Sequence, residues 1–264
     1  MKLFGLFIAA SVIMASVLVP AAALTVDRAD NSARIAPAIR SLPIHESLTF
    51  RVTWLGVRVG TITASINGIK NINGREAYEC EAIVKTGNVL SRIYPINDRY
   101  LSYMDVEKLY TLRHEVYRRE GRYKKDAITD FDQVGHKAYF RNLLDGSKKV
   151  VEIPPGVQDS LSAVHYFRMV DVKIDAPIAY SVYNNEQVYE LFAVADRIKR
   201  IRVPGQGAQD AFHIQPHAKL RGEVVKKGNA SGYFSCDQRR MLLSASVRAP
   251  LFTEVVAYLE KEEK

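Results

Sequence analysis

In the stretch PPGVQDSLSAVHYFRMV, residues 154–170, the side chains of Asp159, Ser160, Ser162 and His165 supply a nucleophile, a base and an acid to orient the base. These are the residue types of acyl transfer, in which a hydroxyl attacks after giving its proton to a histidine held by a carboxylate. Their placement argues for carpentry instead. Asp159 follows Pro154-Pro155-Gly156 and stands where a helix N-cap is needed, its carboxylate meeting orphan N–H groups at the positive end of the helix dipole. His165 falls one turn beyond Leu161, on the side expected to pack. No G-x-S-x-G turn occurs anywhere to lift a serine out of a strand. The catalytic set is therefore expected to be empty.

Other chemistry is equally thin. His213 and His217 are four residues apart, which would suit a metal on a helix, but Pro216 lies between them and no third ligand is spaced to join them. Asp130 and Asp132 flank Phe131 as an exposed strand end or turn would. No phosphate loop, dinucleotide fingerprint, zinc cage or calcium loop is present. No cofactor and no metal are expected, and the protein reads as a non-enzyme. The two cysteines, Cys80 and Cys236, sit in strand-like runs; they could form one disulfide or remain as buried thiols.

The elements that position these residues are mainly strands. Leu48, Phe50, Val52 and Trp54 alternate with Thr49, Arg51 and Thr53, a half-buried strand. Gly56 and Gly60 mark a bulge or sharp bend, after which Ile62, Ala64 and Ile66 resume the inward face. Asn73-Gly74 predicts a type I′ hairpin turn after a strand ending near Ile69, and Asp145-Gly146 predicts the same turn between KAYFRNLL and KKVVEIP. Gly121, Asn184-Asn185 and Gly228-Asn229 separate further runs, giving about ten to twelve short strands. Two segments break the pattern. TGNVLSRIYPI, residues 86–96, allows a helical turn or two, and Asp159 to Val170 carries an apolar stripe at helical spacing. The fold class is thus all-β: a large curved antiparallel sheet or open half-barrel with one or two short covering helices, the second a lid or plug.

The first residues set the expected compartment. Lys2 is the only charge among the first 26 residues, Leu3 to Val19 is apolar, and Ala21-Ala22-Ala23 follows Pro20. Charged start, short apolar core and small-residue end make a secretory signal, residues 1–23, and export to the periplasm. Residues 24–45 read as a flexible leader and 46–264 as one β-rich domain. No later segment is apolar and long enough to span a bilayer as a helix. Removing Lys2 leaves 36 basic against 29 acidic side chains, a net charge of +7. That suits anionic neighbours. Nucleic acid is not expected among them, because RIKRIR, residues 197–202, alternates as a solvated strand face does.

Three segments resemble an exported bacterial family, domain of unknown function 3108: TFRVTWLGVRVGTITASI, GVQDSLSAVHYFRMV and GYFSCDQRRMLLSASV, in that order from about Ser47 to Leu259. The middle one resembles the family's Gln-Asp-x-Leu-Ser helix start through Gln158, Asp159, Leu161 and Ser162. The last departs from it, with Tyr233-Phe234-Ser235-Cys236 in place of a Trp-Leu-Ser-type strand and Met241 in place of a proline. The resemblance implies an envelope protein and transfers no catalytic residue. Its pattern is similar to periplasmic lipoprotein carriers, in which helices cover an open half-barrel. A half-covered apolar groove of that kind would bind a lipid or other amphiphile. Groove or lid candidates are Phe50, Trp54, Ile62, Leu161, Val164, Phe167 and Leu243. The alternative is an envelope interaction or scaffolding module that meets a protein partner and no small molecule.

Overall fold

The computed structural model describes residues 35–36, 38–39, 41–204, 206–225, 230–248 and 253–263. The expected signal sequence and the Gly228-Asn229 turn lie outside them. The described residues form sixteen strands and two helices.

The first eight strands make one meander: β1 (Ser47–Trp54), β2 (Val57–Ile72), β3 (Arg75–Thr86), β4 (Asn97–Asp105), β5 (Thr111–Glu120), β6 (Tyr123–Asp132), β7 (Lys137–Asn142) and β8 (Lys148–Glu152), with the single-turn helix α1 (Asn88–Ser91) between β3 and β4. A two-residue strand β9 (Gln158–Asp159) leads into helix α2 (Ser162–Met169). The second meander is β10 (Pro177–Asn184), β11 (Gln187–Val203), β12 (Gly207–Leu220), β13 (Glu223–Val224), β14 (Ala230–Ser235), β15 (Leu242–Arg248) and β16 (Glu254–Glu263). The strand order is β8-β7-β6-β5-β4-β3-β2-β1-β16-β15-β14-β12-β11-β10-β9, with β13 paired to β12 off this path. Strand β1 pairs with β16, so a single antiparallel seam joins the two meanders. Among the described strands, β9 with β10 is the one parallel pair.

The terminal strands β8 and β9 do not pair with each other, yet the sheet curls until its two walls meet. In this order β6 and β10 stand eleven steps apart. A flat sheet would separate them by about 50 Å. The rings of Phe131 on β6 and Tyr183 on β10 nevertheless lie 5.2 Å apart, edge to face. Ile153 and Val157, on the chain between β8 and β9, join them in one buried cluster. Closure is therefore made by side-chain packing across the gap rather than by a strand ladder.

Helix α2 fills the curl. Phe167 packs with Phe212 and Phe234 of the second wall, at ring separations of 6.1 and 4.9 Å. On the opposite side Leu161, Tyr166 and Met169 pack against Ile66, Tyr78, Cys80 and Met104 of the first wall. Ser162, Ala163, His165, Phe167 and Arg168 are all buried. A helix with two walls to cover cannot keep a wet face, so the expected stripe becomes burial on both sides, and α2 is a plug.

Local expectations meet the structure unevenly. Asn73 and Gly74 both have positive φ and close the β2–β3 hairpin, three residues later than Ile69. Asp145 does not: only Gly146 has positive φ, and a five-residue loop joins β7 to β8, its backbone turned by Asn142 and Asp145 side chains. Leu55 and Gly56 form the turn between β1 and β2, both at positive φ. Gly60 sits at the register shift between those strands, where a Cβ would collide with the carbonyl of Lys85. The strands are more numerous than the period-two runs suggested, and β2, β11 and β12 are far longer, because bulges rather than turns interrupt β2 and β11. In the segment read as a leader, Ile35 and Leu42 are buried and Ala36 N–H donates to the carbonyl of Cys236.

Candidate functional site

The chain crosses from one wall to the other through β9, and Asp159 fixes the crossing. One carboxyl oxygen accepts the N–H of Leu161 at 2.7 Å and of Ser162 at 3.0 Å. The other accepts the hydroxyls of Ser102 on β4 and Thr111 on β5. Asp159 thus caps the first turn, as its position after Pro154-Pro155-Gly156 suggested, although the regular helix begins at Ser162. It also ties that turn to the first wall, which spacing along the chain could not reveal. Ser162 Oγ is 2.7 Å from Thr111 Oγ1 and accepts the N–H of Asp159 at 2.9 Å. The ring nitrogens of His165 make no hydrogen bond, so Ser162, His165 and Asp159 form no proton relay. Burial, helped by the nearby Arg168 charge, pushes the His165 imidazole down to about 3.

The far end of α2 is held by charge. Arg168, buried, forms two hydrogen bonds with the carboxylate of Glu46, at 2.7 and 3.0 Å. Arg239 reaches the same carboxylate and also Glu262 of β16. Arg240 donates to the carbonyls of Val170 and Ala36. The Arg pair in the third sequence segment therefore anchors the plug at the seam between the walls. Cys80 and Cys236 are both buried and belong to different clusters, one on each wall. His213 bonds Asp196 at 2.7 Å, and no group of three or more metal-ligating side chains occurs among the described residues.

Between α2 and the second wall lies an apolar cavity. Its walls come from Ala163, Val164 and Phe167 of α2, Val182, Leu191 and Ala193 of β10 and β11, Ile214 and Pro216 of β12, and four residues each of β14, between Ala230 and Phe234, and of β15, between Leu242 and Val247. The space open to the centre of a water-sized sphere is about 70 Å³. A single water needs about 10–15 Å³ on the same measure. Half-buried Pro216, Ser231, Ser246 and Val247 are at its rim. Of the seven sequence candidates, Val164 and Phe167 line this cavity. Phe50 and Leu243 pack together with Leu48, Met241 and Leu259. Ile62 bridges that cluster and the one around Tyr100. Leu161 faces the first wall, and Trp54 donates from Nε1 to Thr253 at 3.2 Å, at the tip of β1.

A second pocket of about 30 Å³ lies where the walls meet, with a mixed lining in which His114, Arg118, Lys125, Thr129, Ser160 and Glu186 stand beside Val116, Ala127 and Phe140. The Nε2 atom of His114 is buried without a hydrogen-bond partner, 3.9 Å from Asp159. Burial lowers the His114 imidazole below its ordinary range. Beneath Arg118, burial pushes Asp98 up to about 6. Ser160 lines both this pocket and the apolar cavity. The signal for His114 was present in sequence: Leu112, His114, Val116 and Arg118 alternate on one face of β5, so a histidine interrupts an inward apolar run.

A curled antiparallel sheet, closed by packing and plugged by a helix, defines a β-barrel-like protein. A solved structure of that class, a beta-barrel-like protein of domain of unknown function DUF1849 from Brucella abortus, aligns with 84% of this chain and 98% of its own at 6% identity, with a TM-score of 0.55. The likeness is one of fold. The chain itself belongs to the family of proteins of unknown function DUF3108, which matches residues 49–252. A predicted lipoprotein from Parabacteroides distasonis aligns with 86% of this chain and 100% of its own at 6% identity and a TM-score of 0.39. A predicted exported protein with a YmcC-like fold from Bacteroides fragilis covers 87% and 100% at 9% identity and a TM-score of 0.33. No curated protein matches the chain. No described helix is long and apolar enough to cross a membrane.

Proposed function

We propose that this protein is an exported, periplasmic binding or carrier protein that takes the apolar end of an amphiphile into the cavity between α2 and the second wall. The observation that carries the reading is the cavity itself: an almost wholly apolar lining, contributed by the plug and five strands, around a space several waters large. Protein interiors are close-packed, and a void lined by Val, Leu, Ile and Phe is unfavourable to leave empty. Its size suits a short or branched apolar group rather than a complete acyl chain, the remainder of which would leave past the rim. The signal-like first 23 residues support the compartment.

Native mass spectrometry of protein purified from an envelope fraction tests this, followed by organic extraction and titration with a neutral, environment-sensitive naphthylamine dye. The expected result is a discrete extra mass lost on extraction, or uptake of one dye per chain. A bare mass with no dye uptake would instead favour the interaction-module reading. That second reading has its own observation: Tyr139, Leu143, Leu144 and Val150 are exposed around the β7–β8 edge of the sheet.

A further inference from the structure

We infer that the second pocket, beside Ser160, receives the head of the amphiphile, and that this head is an uncharged group bearing a hydroxyl. The inference rests on the carrier reading, since it assigns the other end of the same ligand. Ser160 is the one residue common to both linings, and along β10 the neighbours Val182 and Tyr183 serve the apolar cavity and the second pocket respectively. A chain that leaves the cavity at Ser160 therefore enters the pocket directly. His114 supplies the reason for a polar head: its Nε2 is buried and unbonded, and Asp159 at 3.9 Å is too far to accept or share a proton. A hydroxyl both donates and accepts, so it satisfies that nitrogen in either tautomer.

Charge decides the class of head. The two cations in the lining are already engaged, Arg118 with Glu120 and Lys125 with Glu186 at 3.0 Å. Asp98 stands 3.8 Å from Arg118. Behind His114 lies the Asp159 carboxyl, fully occupied by its own donors. A carboxylate or phosphate head would bring a charge with no free partner into this space, and an ammonium would find no free carboxylate; both are costly to bury. The volume of about 30 Å³ admits a hydroxyl-sized group and excludes a glycerophosphate.

Chemical-shift titrations of the mature chain with n-hexane, 1-hexanol and hexanoate test this. Hexanol is expected to bind at least ten-fold more tightly than hexanoate. His114→Leu is expected to weaken hexanol by roughly ten-fold, the worth of one hydrogen bond to a buried group, and to leave hexane unchanged. His114→Gln, which keeps a polar atom near the Nε2 position, should retain most of the wild-type preference. Hexane binding by each variant certifies that its cavity is folded. Hexanoate binding as tightly as hexanol, or a His114→Leu variant that leaves hexanol unchanged or weakens hexane equally, overturns the head assignment while the carrier reading stands. Binding of none of the three ligands overturns both.

Discussion

The wall from β1 to β8 and the wall from β10 to β15 hold the same helix by different means. On the first, Asp159 gathers two hydroxyls and two backbone donors, and Arg168 closes a buried ion pair on Glu46 just ahead of β1. On the second, Arg239 and Arg240 between β14 and β15 hold only the C-terminal end of α2, through the Arg239 carbonyl and the Arg240 guanidinium; along its length α2 meets Phe212, Phe234, Leu191 and Val182 through apolar contact, and the fit leaves a cavity. The difference has a physical cause. Hydrogen bonds and ion pairs fix distances within tenths of an ångström, and a buried polar group left unmatched is heavily penalised. Dispersion and hydrophobic contact are non-directional and tolerate a gap. A plug fastened on one side and loosely packed on the other can hold a ligand on the loose side without losing its place in the fold.

The largest effect should come from unfastening. Asp159→Ala removes the acceptor for four donors, three of them buried. The expected loss is about 3 kcal/mol or more in urea unfolding, above the ~0.5–2 kcal/mol typical of an exposed N-cap. A loss inside the ordinary range would mean that Ser102 and Thr111 find other partners, and that the first wall does not depend on this residue.

The sheet and its plug were legible in sequence because each signal is local: alternation in β1, the Asn73-Gly74 turn, and Pro154-Pro155-Gly156 ahead of a capping aspartate. What was hidden depends on closure. Phe50, Leu243 and Val164 look alike as inward apolar residues, and only the curl decides that the first two meet each other while the third faces a void. The partners of Asp159 lie 57 and 48 residues away in Ser102 and Thr111, and Glu46 lies 122 from Arg168. No spacing rule spans such distances. Asp145-Gly146 misled for a different reason: a glycine at positive φ is common to two-residue and five-residue loops, and side-chain hydrogen bonds from Asn142 and Asp145 selected the longer one.

A smaller effect separates the two sides through pH. His165 is buried on α2 with both ring nitrogens unbonded, and its imidazole is held down at about 3. In the unfolded chain it titrates near 6.5. The unfolded state therefore binds the proton first, and stability falls as pH drops from about 6.5 toward 3. His114 acts with the same sign. Asp98, raised from 3.8 to about 6, acts against it, since below pH 6 the folded state binds that proton more tightly. His165→Leu should leave stability at pH 7 nearly unchanged, because it replaces an unsatisfied polar ring by an apolar side chain. Between pH 7 and pH 5 it should remove about 2 kcal/mol of the wild-type decline. An unaltered decline would place acid sensitivity elsewhere, in His114 or the ion pairs of the first wall.

The finest discrimination is a matched pair of substitutions. Ala82 on β3 and Ala193 on β11 are both buried, at 6% and 2% exposure, in the middle of strands facing the plug. Ala82 packs with Val84, Ile96 and Tyr100 on the first wall and lines neither pocket; Ala193 lines the cavity on the second. Enlarging each to leucine adds the same three carbons. Where the surroundings are filled, overpacking costs about 1–3 kcal/mol. Where a void adjoins, the new side chain occupies it, and the cost should fall below about 1 kcal/mol or reverse sign as buried apolar area is gained. Thermal unfolding of Ala82→Leu and Ala193→Leu beside the wild type measures the difference, and dye uptake by the same proteins connects it to binding. Ala193→Leu should keep its stability and lose the dye, while Ala82→Leu should lose stability and keep it. Equal destabilisation by the two would mean that the second wall is as tightly packed as the first, and the asymmetry on which the carrier reading depends would be gone.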